Sequence, residues 1–343
     1  MMGVIRQMKH LAKQGVIRPL KHLAKQIVPL PLGVALLYHR VADLETDPQL
    51  LSVSPRNFAE HLEVLRRSYL PVRLGELCHR SLNSPLRTRL IAFTFDDGYA
   101  DNLHQALPLL QAAAIPATVF VTAGQVGQKE EFWWDELERI LLGIPDLPEW
   151  LEVTIGSKSF CWHLPSAGDK LDRHWHVLSD QPCSPRQTAY RELCNLLRPL
   201  STPTRKYVLD WLRTWAGVNG LSRPHNRVLT EDELVALVKD GLVEVGAHTM
   251  THPVLAAQPV AVQRQEIETS KRKLEDLLTE PVRYFSYPFG GHHDYTADTV
   301  KLVQEAGYAC ACSNFPGTVH WGTHRYEIPR FIVRDWNGDE LCY

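Results

Sequence analysis

The chain has 343 residues, of which 44% are hydrophobic and 22% are charged, and its net charge is −2. This composition is ordinary for a globular protein, and the length suits one large domain or a domain with a sizeable insertion. Residues 1–42 carry seven basic side chains and no acid, which leaves 30 basic and 39 acidic residues in the remaining chain and argues against a nucleic-acid-binding protein.

The first 30 residues form a basic amphipathic segment built on a short duplication. Residues 4–14 recur with few changes as residues 16–26, and helical spacing places apolar side chains such as Ile5 opposite basic ones such as Lys9. Such a segment either lies on an anionic membrane surface or is a poorly ordered tail. A peripheral membrane contact through residues 1–26 is therefore one of two open alternatives.

The apolar run at 27–37 follows this basic segment as it would in a signal peptide. Pro29 and Pro31 interrupt it, however, no small-x-small cleavage site follows, and the run is too short to span a bilayer. We interpret residues 34–38 as the first strand of the fold instead. Seven cysteines, an odd number without paired spacing, indicate a reducing compartment. We expect a cytoplasmic protein, either free or at the inner membrane face.

Strands and helices alternate in the next part of the chain. Runs of β-branched and aromatic residues predict strands, and apolar residues at helical spacing predict helices. The predicted elements are a helix at 54–68, a strand at 90–95, a helix at 102–114 and a strand at 117–121. A strand, a helix and a strand in close succession form a βαβ unit, which predicts a parallel sheet.

Residues 126–228 interrupt this alternation. A helix begins at Phe132, an alternating pattern over 151–164 predicts a β-hairpin, and residues 190–216 predict one or two further helices. Six tryptophans of the segment either fill the core of a small subdomain or stack on sugar rings: Trp133, Trp134, Trp162, Trp175, Trp211 and Trp215. We expect an insertion into the main fold, without a motif to which we assign chemistry.

The alternation resumes at Thr230, which forms a capping box with Glu233 at the start of a helix. Further strands are predicted at 242–246, 282–287, 308–313 and 330–333, with helices at 263–278 and 298–306. Seven or eight strand–helix repeats predict a (β/α) barrel.

Two polar motifs follow predicted strands. Asp96, Asp97 and a glycine end the strand at 90–95, while His248 and His252 follow the strand at 242–246. The carboxyl ends of parallel strands meet at one mouth of a barrel, where ligands and metals collect. A carboxylate and two histidines with an open fourth position are typical of catalytic zinc. An isolated Asp-Asp-Gly is equally consistent with a simple turn, so the second motif decides the interpretation.

Together the two motifs closely resemble those of the polysaccharide deacetylases, which are carbohydrate esterase family 4 or NodB-type proteins. The resemblance rests on Thr94-Phe95-Asp96-Asp97-Gly98 and on His248-Thr249-x-x-His252. The run at 285–290, Phe-Ser-Tyr-Pro-Phe-Gly, is similar to the family's third motif. The resemblance covers residues 34–125 and 229–340, and it implies a distorted seven-stranded (β/α) barrel.

The resemblance also implies a role for each motif residue. Asp97, His248 and His252 would bind a divalent metal ion, Asp96 would be the general base, and the backbone N–H of Phe289 would stabilise the oxyanion. Zinc is the expected ion, and nickel or cobalt would fit the same donors. Three further motif residues would contact or support the substrate: Tyr99, Tyr287 and Pro288.

The chain departs from the family pattern at two points. Ser286 replaces the arginine that holds the catalytic base in many members, so Arg283 or Arg330 would have to supply that charge. The motif that provides the general acid is also not evident. His39 ends the first strand and should face the same mouth, which makes it the candidate acid, although a lone histidine is more often structural.

The resemblance implies a metal-dependent hydrolase that uses metal-activated water to remove N-acetyl or O-acetyl groups from a carbohydrate or glycan precursor. Two alternatives stay open. The same scaffold could hydrolyse a non-sugar amide, because a fold does not determine its substrate. The chain could also be a degenerate glycan-binding protein, although Asp96 beside the metal donors argues against a protein that only binds.

Overall fold

The computed structural model describes residues 32–165, 171–180, 184–218 and 222–342. The strands in these residues are β1 (Gly33–Tyr38), β2 (Arg40–Val41), β3 (Ser52–Val53), β4 (Leu70–Pro71), β5 (Leu90–Phe95), β6 (Ala117–Val121), β7 (Trp150–Ile155), β8 (Lys158–His163), β9 (Val243–Ala247), β10 (Tyr284–Ser286), β11 (Cys310–Cys312) and β12 (Phe331–Ile332). The α-helices are α1 (Pro55–Ser68), α2 (Leu74–Asn83), α3 (Leu107–Ala113), α4 (Trp133–Leu141), α5 (Pro185–Leu197), α6 (Thr202–Trp215), α7 (Glu231–Val238), α8 (Val260–Leu278), α9 (Ala297–Glu305) and α10 (Gly338–Cys342).

A curled parallel sheet with surrounding helices forms the body of the molecule. Its strands follow the order β11-β10-β9-β6-β5-β1-β12, and β4 pairs with the start of β5. The segment 328–332 touches both edges of the sheet, because Ile328 bridges to Cys312 of β11 while β12 pairs with β1. The sheet therefore curls into the distorted (β/α) barrel that the family resemblance implied.

The first half of the barrel follows the local sequence signals closely. Helix α1 begins after Ser54, whose side chain accepts a hydrogen bond from the Asn57 backbone N–H, with proline in the first turn. One difference lies at 102–106, which form a turn of π-helix before α3. Asn102 is buried there and donates a hydrogen bond to the carbonyl oxygen of His39. This bond ties the helix to the end of β1.

Most strand faces are buried between the barrel interior and the outer helices. Every residue of β1 and of β5 is buried, as expected for strands of a covered parallel sheet. Tyr38, Phe58 and Phe95 form one aromatic cluster, with ring centroids 5.2–5.8 Å apart. Burying each such ring contributes about 2–3 kcal/mol, which anchors α1 against the two strands that carry the site.

The insertion between β6 and α7 contains α4, the antiparallel hairpin β7–β8, α5 and α6. Four of its tryptophans are buried and form its core together with leucines of α4 and α5: Trp133, Trp134, Trp162 and Trp175. Trp211 differs, because 37% of it is exposed. The subdomain-core interpretation therefore fits those four rings and does not describe Trp211.

The basic duplication lies outside the described residues, so its membrane contact stays a prediction, as does a cytoplasmic location. Among the residues that the structure does describe, no helix is long and apolar enough to cross a bilayer.

Candidate metal and catalytic site

Three metal-type donors meet at the C-terminal mouth of the barrel. Asp97 follows β5, and His248 and His252 follow β9, two strands further along the sheet. Their ligand atoms lie within 4.8 Å of one another, with Asp97 Oδ1 3.7 Å from His248 Nε2 and 3.3 Å from His252 Nε2. All three side chains are buried. The fold thus brings together the three side chains that the family resemblance assigns to a metal ion.

The hydrogen bonding and charge of this cluster fit a divalent ion. His248 donates a hydrogen bond from Nδ1 to the Ser286 carbonyl oxygen (2.7 Å), which directs Nε2 towards Asp97. Burial lowers the pKa of His248 to about 4 and that of His252 to about 3, so both imidazoles are neutral and able to ligate. Asp97 Oδ1 is buried without a hydrogen-bond donor among the described residues. A cation between these atoms would satisfy it.

The backbone around the site is held in conformations that side chains rarely adopt. Asp97, Thr249, His252 and Phe289 all have φ between 54° and 76°. Such residues cost roughly 1–3 kcal/mol each and cluster at functional sites. The surrounding structure maintains the strain here; for example, the Thr249 hydroxyl accepts a hydrogen bond from the His252 backbone N–H (3.1 Å).

The loop that carries the two histidines is also held from both sides. Gly124 donates a backbone hydrogen bond to Met250 (2.9 Å), and a Cβ on this glycine would lie 2.2 Å from the Met250 carbonyl oxygen. On the other side, the buried Glu266 of α8 accepts hydrogen bonds from the backbone N–H groups of Met250 and Thr251 and from the Thr251 hydroxyl. Sequence reasoning missed Glu266, because nothing in its helix distinguishes it from neighbouring exposed acids.

Asp96 is held by a buried arginine. Arg330 donates two hydrogen bonds of 2.7 Å, one to each carboxylate oxygen, and Ser286 donates a third of 3.0 Å. Burial alone would raise the pKa of Asp96, but Arg330 and then His248 outweigh it and keep that pKa below its ordinary range. Asp96 Oδ2 is 3.9 Å from His248 Nε2. An ionised carboxylate therefore lies beside the three metal-type donors.

Arg330, not Arg283, occupies the place of the missing motif arginine. Arg330 is the residue immediately before β12, and its Nε–H donates a hydrogen bond to the Ser313 carbonyl oxygen (2.8 Å). Arg283 is exposed and precedes β10, so it lies at the opposite end of the parallel strands from Asp96. The alternative that placed Arg283 at the site was wrong. Arg283 is close to Ser286 in sequence, but the two residues lie at opposite ends of β10, and only Ser286 is at the end that carries the site.

Aromatic side chains enclose the second histidine. The rings of Phe132, Trp134 and Phe289 lie with their centroids 6.1, 4.9 and 4.7 Å from that of His252. Phe132 and Trp134 belong to the insertion, which therefore forms part of the wall of the site. No sequence pattern indicates this contact, since it joins segments that are more than a hundred residues apart.

The remaining predicted residues lie close to the site in supporting positions. Tyr99 is buried and donates a hydrogen bond to Asp135 (2.7 Å), whose pKa is raised to about 7 by burial. Tyr287 is buried as well and donates to the Tyr326 carbonyl oxygen (3.0 Å). Pro288 is buried directly before Phe289. These contacts indicate support of the site, and a direct contact with substrate stays a prediction for all three.

His39 is half-buried at the end of β1, within electrostatic range of both aspartates. Burial lowers its pKa to about 4, although Asp97 and then Asp96 oppose that shift. The position agrees with the sequence expectation that His39 faces the mouth. Its role as a proton donor stays a prediction.

Comparisons with known proteins show which family and fold the chain resembles. A family model described as polysaccharide deacetylase matches residues 83–142 and 179–311, together more than half of the chain. A stretch of 87 residues is 35% identical to poly-beta-1,6-N-acetyl-D-glucosamine N-deacetylase of Escherichia coli, which covers 24% of this chain and 13% of that protein.

Two solved structures share the fold. IcaB from Ammonifex degensii superposes with a TM-score of 0.57 at 18% identity, over 91% of this chain and 96% of that one. The Streptococcus pyogenes deacetylase PplD, solved in complex with acetate, gives a TM-score of 0.56 at 16% identity, over 91% and 97%.

Proposed function

Because the chain belongs to the polysaccharide deacetylase family, whose members are hydrolases of carbon–nitrogen bonds, we propose that it removes N-acetyl groups from an amino-sugar glycan. The N-deacetylase named above acts on a polymer of N-acetyl-D-glucosamine, which supports this substrate class. The chain spans only 13% of that protein, so the substrate of this chain is part of the proposal.

One observation carries the proposal, namely Asp96, held by two hydrogen bonds from Arg330, beside the cluster of Asp97, His248 and His252. A protein that only binds a glycan has no need for a buried carboxylate that Arg330 keeps deprotonated. A divalent ion bound by the cluster would lower the pKa of water and polarise the acetyl carbonyl group. The donor set fits zinc, nickel or cobalt.

The residues of the chain supply the other parts of the reaction. Asp96 accepts the proton of the water whose oxygen attacks the acetyl carbon, and its low pKa keeps it ready to do so in mildly acidic solution. The Phe289 backbone N–H donates a hydrogen bond to the oxyanion. The carbon–nitrogen bond then breaks, acetate leaves, and the amine takes up a proton, for which His39 is our candidate donor.

Acetate release tests this function directly. We expect the metal-loaded protein to release acetate from oligomers of N-acetylglucosamine and to lose this activity on chelation. Release from simple acetamides but not from sugars would favour the non-sugar amide hydrolase. Binding of the oligomers without any release of acetate would favour the degenerate binding protein.

The metal-ligand assignment predicts the metal content. Purified protein should hold about one equivalent of a divalent transition ion, and Asp97→Ala or His248→Ala should lose it, because each removes one of three donors. Elemental analysis after dialysis measures the content. His104→Ala is the matched control, since His104 is exposed and pairs with Glu233 on the outside of the barrel. Full occupancy in both site variants would contradict the assignment.

The proposed acid role of His39 predicts a distinctive pH dependence. His39→Ala should lower kcat by about 10²-fold and leave metal content unchanged. With a pKa near 4, the protonated fraction of His39 falls as the pH rises, so kcat that depends on it should fall in the same direction. The variant should lack that decline in a pH–rate profile. An identical profile in the variant would assign the proton to another group.

A further inference from the structure

Aromatic side chains form a row along the exposed side of α6. Tyr207, Trp211 and Trp215 are four residues apart, which places them one above another on a helix. Tyr207 is 68% exposed and Trp211 is 37% exposed, and the rings of Trp211 and Trp215 are nearly parallel at 12° with centroids 6.4 Å apart. Large rings in such a row are uncommon on a surface that only faces water.

The hairpin of the insertion extends this row sideways. Trp215 donates a hydrogen bond from its indole N–H to the Trp150 carbonyl oxygen (2.9 Å), and 61% of Trp150 is exposed. His163 lies beside Trp150, with ring centroids 4.6 Å apart. Trp150 therefore lies on the strand next to the row of Tyr207, Trp211 and Trp215, and we call these four side chains the aromatic patch.

The same helix connects the patch to the metal-type cluster. Its first residue, Thr202, forms a hydrogen bond of 2.8 Å with the hydroxyl of Thr251, which lies between the two histidines in sequence. Arg205 in the first turn is buried and contributes to the lowered pKa of His252. From Tyr207 to Trp215 the helix rises by about 12 Å, so the patch leads away from the site over the length of a short oligosaccharide.

We propose that the aromatic patch binds the sugar chain of the substrate beyond the unit that is deacetylated. This inference rests on the proposed function. Tyrosine and tryptophan combine a flat apolar face with a polar edge, which suits sugar rings that carry both C–H faces and hydroxyl groups. The ion pair of Lys206 with Asp210 (3.5 Å) lies beside the aromatic row on the same helix and makes the surface unsuited to the apolar interior of a membrane.

The test compares long and short substrates. Trp211→Ala and Tyr207→Ala should each weaken the binding of a hexamer of N-acetylglucosamine by about tenfold, measured by calorimetry, and raise KM for the hexamer without changing kcat. Binding and turnover of a dimer should not change. Trp211→Phe keeps a flat ring and should retain most of the hexamer affinity, which separates loss of stacking from misfolding.

Trp321→Ala is the matched control, because Trp321 is 70% exposed and follows Val319, which bridges to Gly33 at the opposite end of the barrel. The proposal would be overturned if Trp321→Ala weakened hexamer binding as much as the patch variants do, or if the patch variants lost equal affinity for dimer and hexamer. Loss of liposome sedimentation in the patch variants with hexamer binding intact would also overturn it, since that result would indicate a lipid contact. Hexamer binding that requires the patch but yields no acetate would support the patch and refute the proposed deacetylase function. Acetate release from the hexamer with the same KM in the patch variants as in the wild type would do the reverse.

Discussion

Replacing Asp96 with asparagine should lower kcat by about 10²–10⁴-fold while the protein still binds its metal ion. The side chain keeps its shape but can no longer accept a proton, and Asp97, His248 and His252 are untouched. The amide also leaves part of the Arg330 guanidinium unpaired, which we expect to reduce the free energy of unfolding by about 1–3 kcal/mol. Turnover must therefore be measured well below the melting temperature, together with the metal content.

Asp335→Asn makes the same chemical change outside the site. Asp335 is exposed and accepts hydrogen bonds from Ser54 and Asn57 at the start of α1, so its replacement should leave kcat unchanged. If Asp96→Asn retained full activity with bound metal, another group would have to be the base.

Replacing Arg330 with methionine should lower the free energy of unfolding by about 3–5 kcal/mol, because it leaves a buried carboxylate without its cation. Combining this change with Asp96→Asn removes both charges and should recover part of the loss. A double-mutant cycle in urea measures this coupling. Arg56→Met is the control, since the pair of Arg56 with Glu60 is exposed to water and should contribute little to the free energy of unfolding.

The effect of Arg330→Met should also depend on pH. In the wild type the pKa of Asp96 lies below its ordinary value of about 4, so the pair stabilises the fold above that pH and the contribution is lost as the pH falls. In the variant, burial without Arg330 raises the pKa, so the penalty develops as the pH rises above 4. The stability difference between the two proteins should therefore shrink in acid. A constant difference from pH 3 to 7 would contradict the pairing.

The residues that could be predicted from sequence are those whose signal is local. The strand at 90–95 is observed where the sequence predicts it, and the strand before His248 differs from its predicted bounds by one residue. Runs of buried β-branched side chains are visible without any knowledge of the fold. Parallel pairing then brings their carboxyl ends together. The cluster of Asp97, His248 and His252 follows from these two steps and from the family resemblance.

The features that the sequence leaves undecided or hides depend on contacts between distant segments. Arg330 reaches Asp96 only because the segment 328–332 touches both edges of the sheet. The serine at position 286 does not indicate whether Arg283 or Arg330 takes the place of the motif arginine. Glu266 of α8 accepts a hydrogen bond from the loop that carries His248 and His252, and its nearest charged neighbours in α8 are exposed. No periodic pattern contains such information, since burial of a single polar residue is decided by what packs against it.

The position of the insertion allows the substrate-facing wall of the site to change independently of the strands that carry the catalytic residues. The Gly127 backbone N–H donates a hydrogen bond to the Leu229 carbonyl oxygen (3.1 Å), so the insertion leaves the barrel and returns to it at a single point of the rim. A connection of this kind can lengthen or shorten in evolution at little entropic cost. Because it contributes Phe132 and Trp134 to the wall beside His252, such a change would reshape substrate choice and leave the strands that carry the chemistry intact.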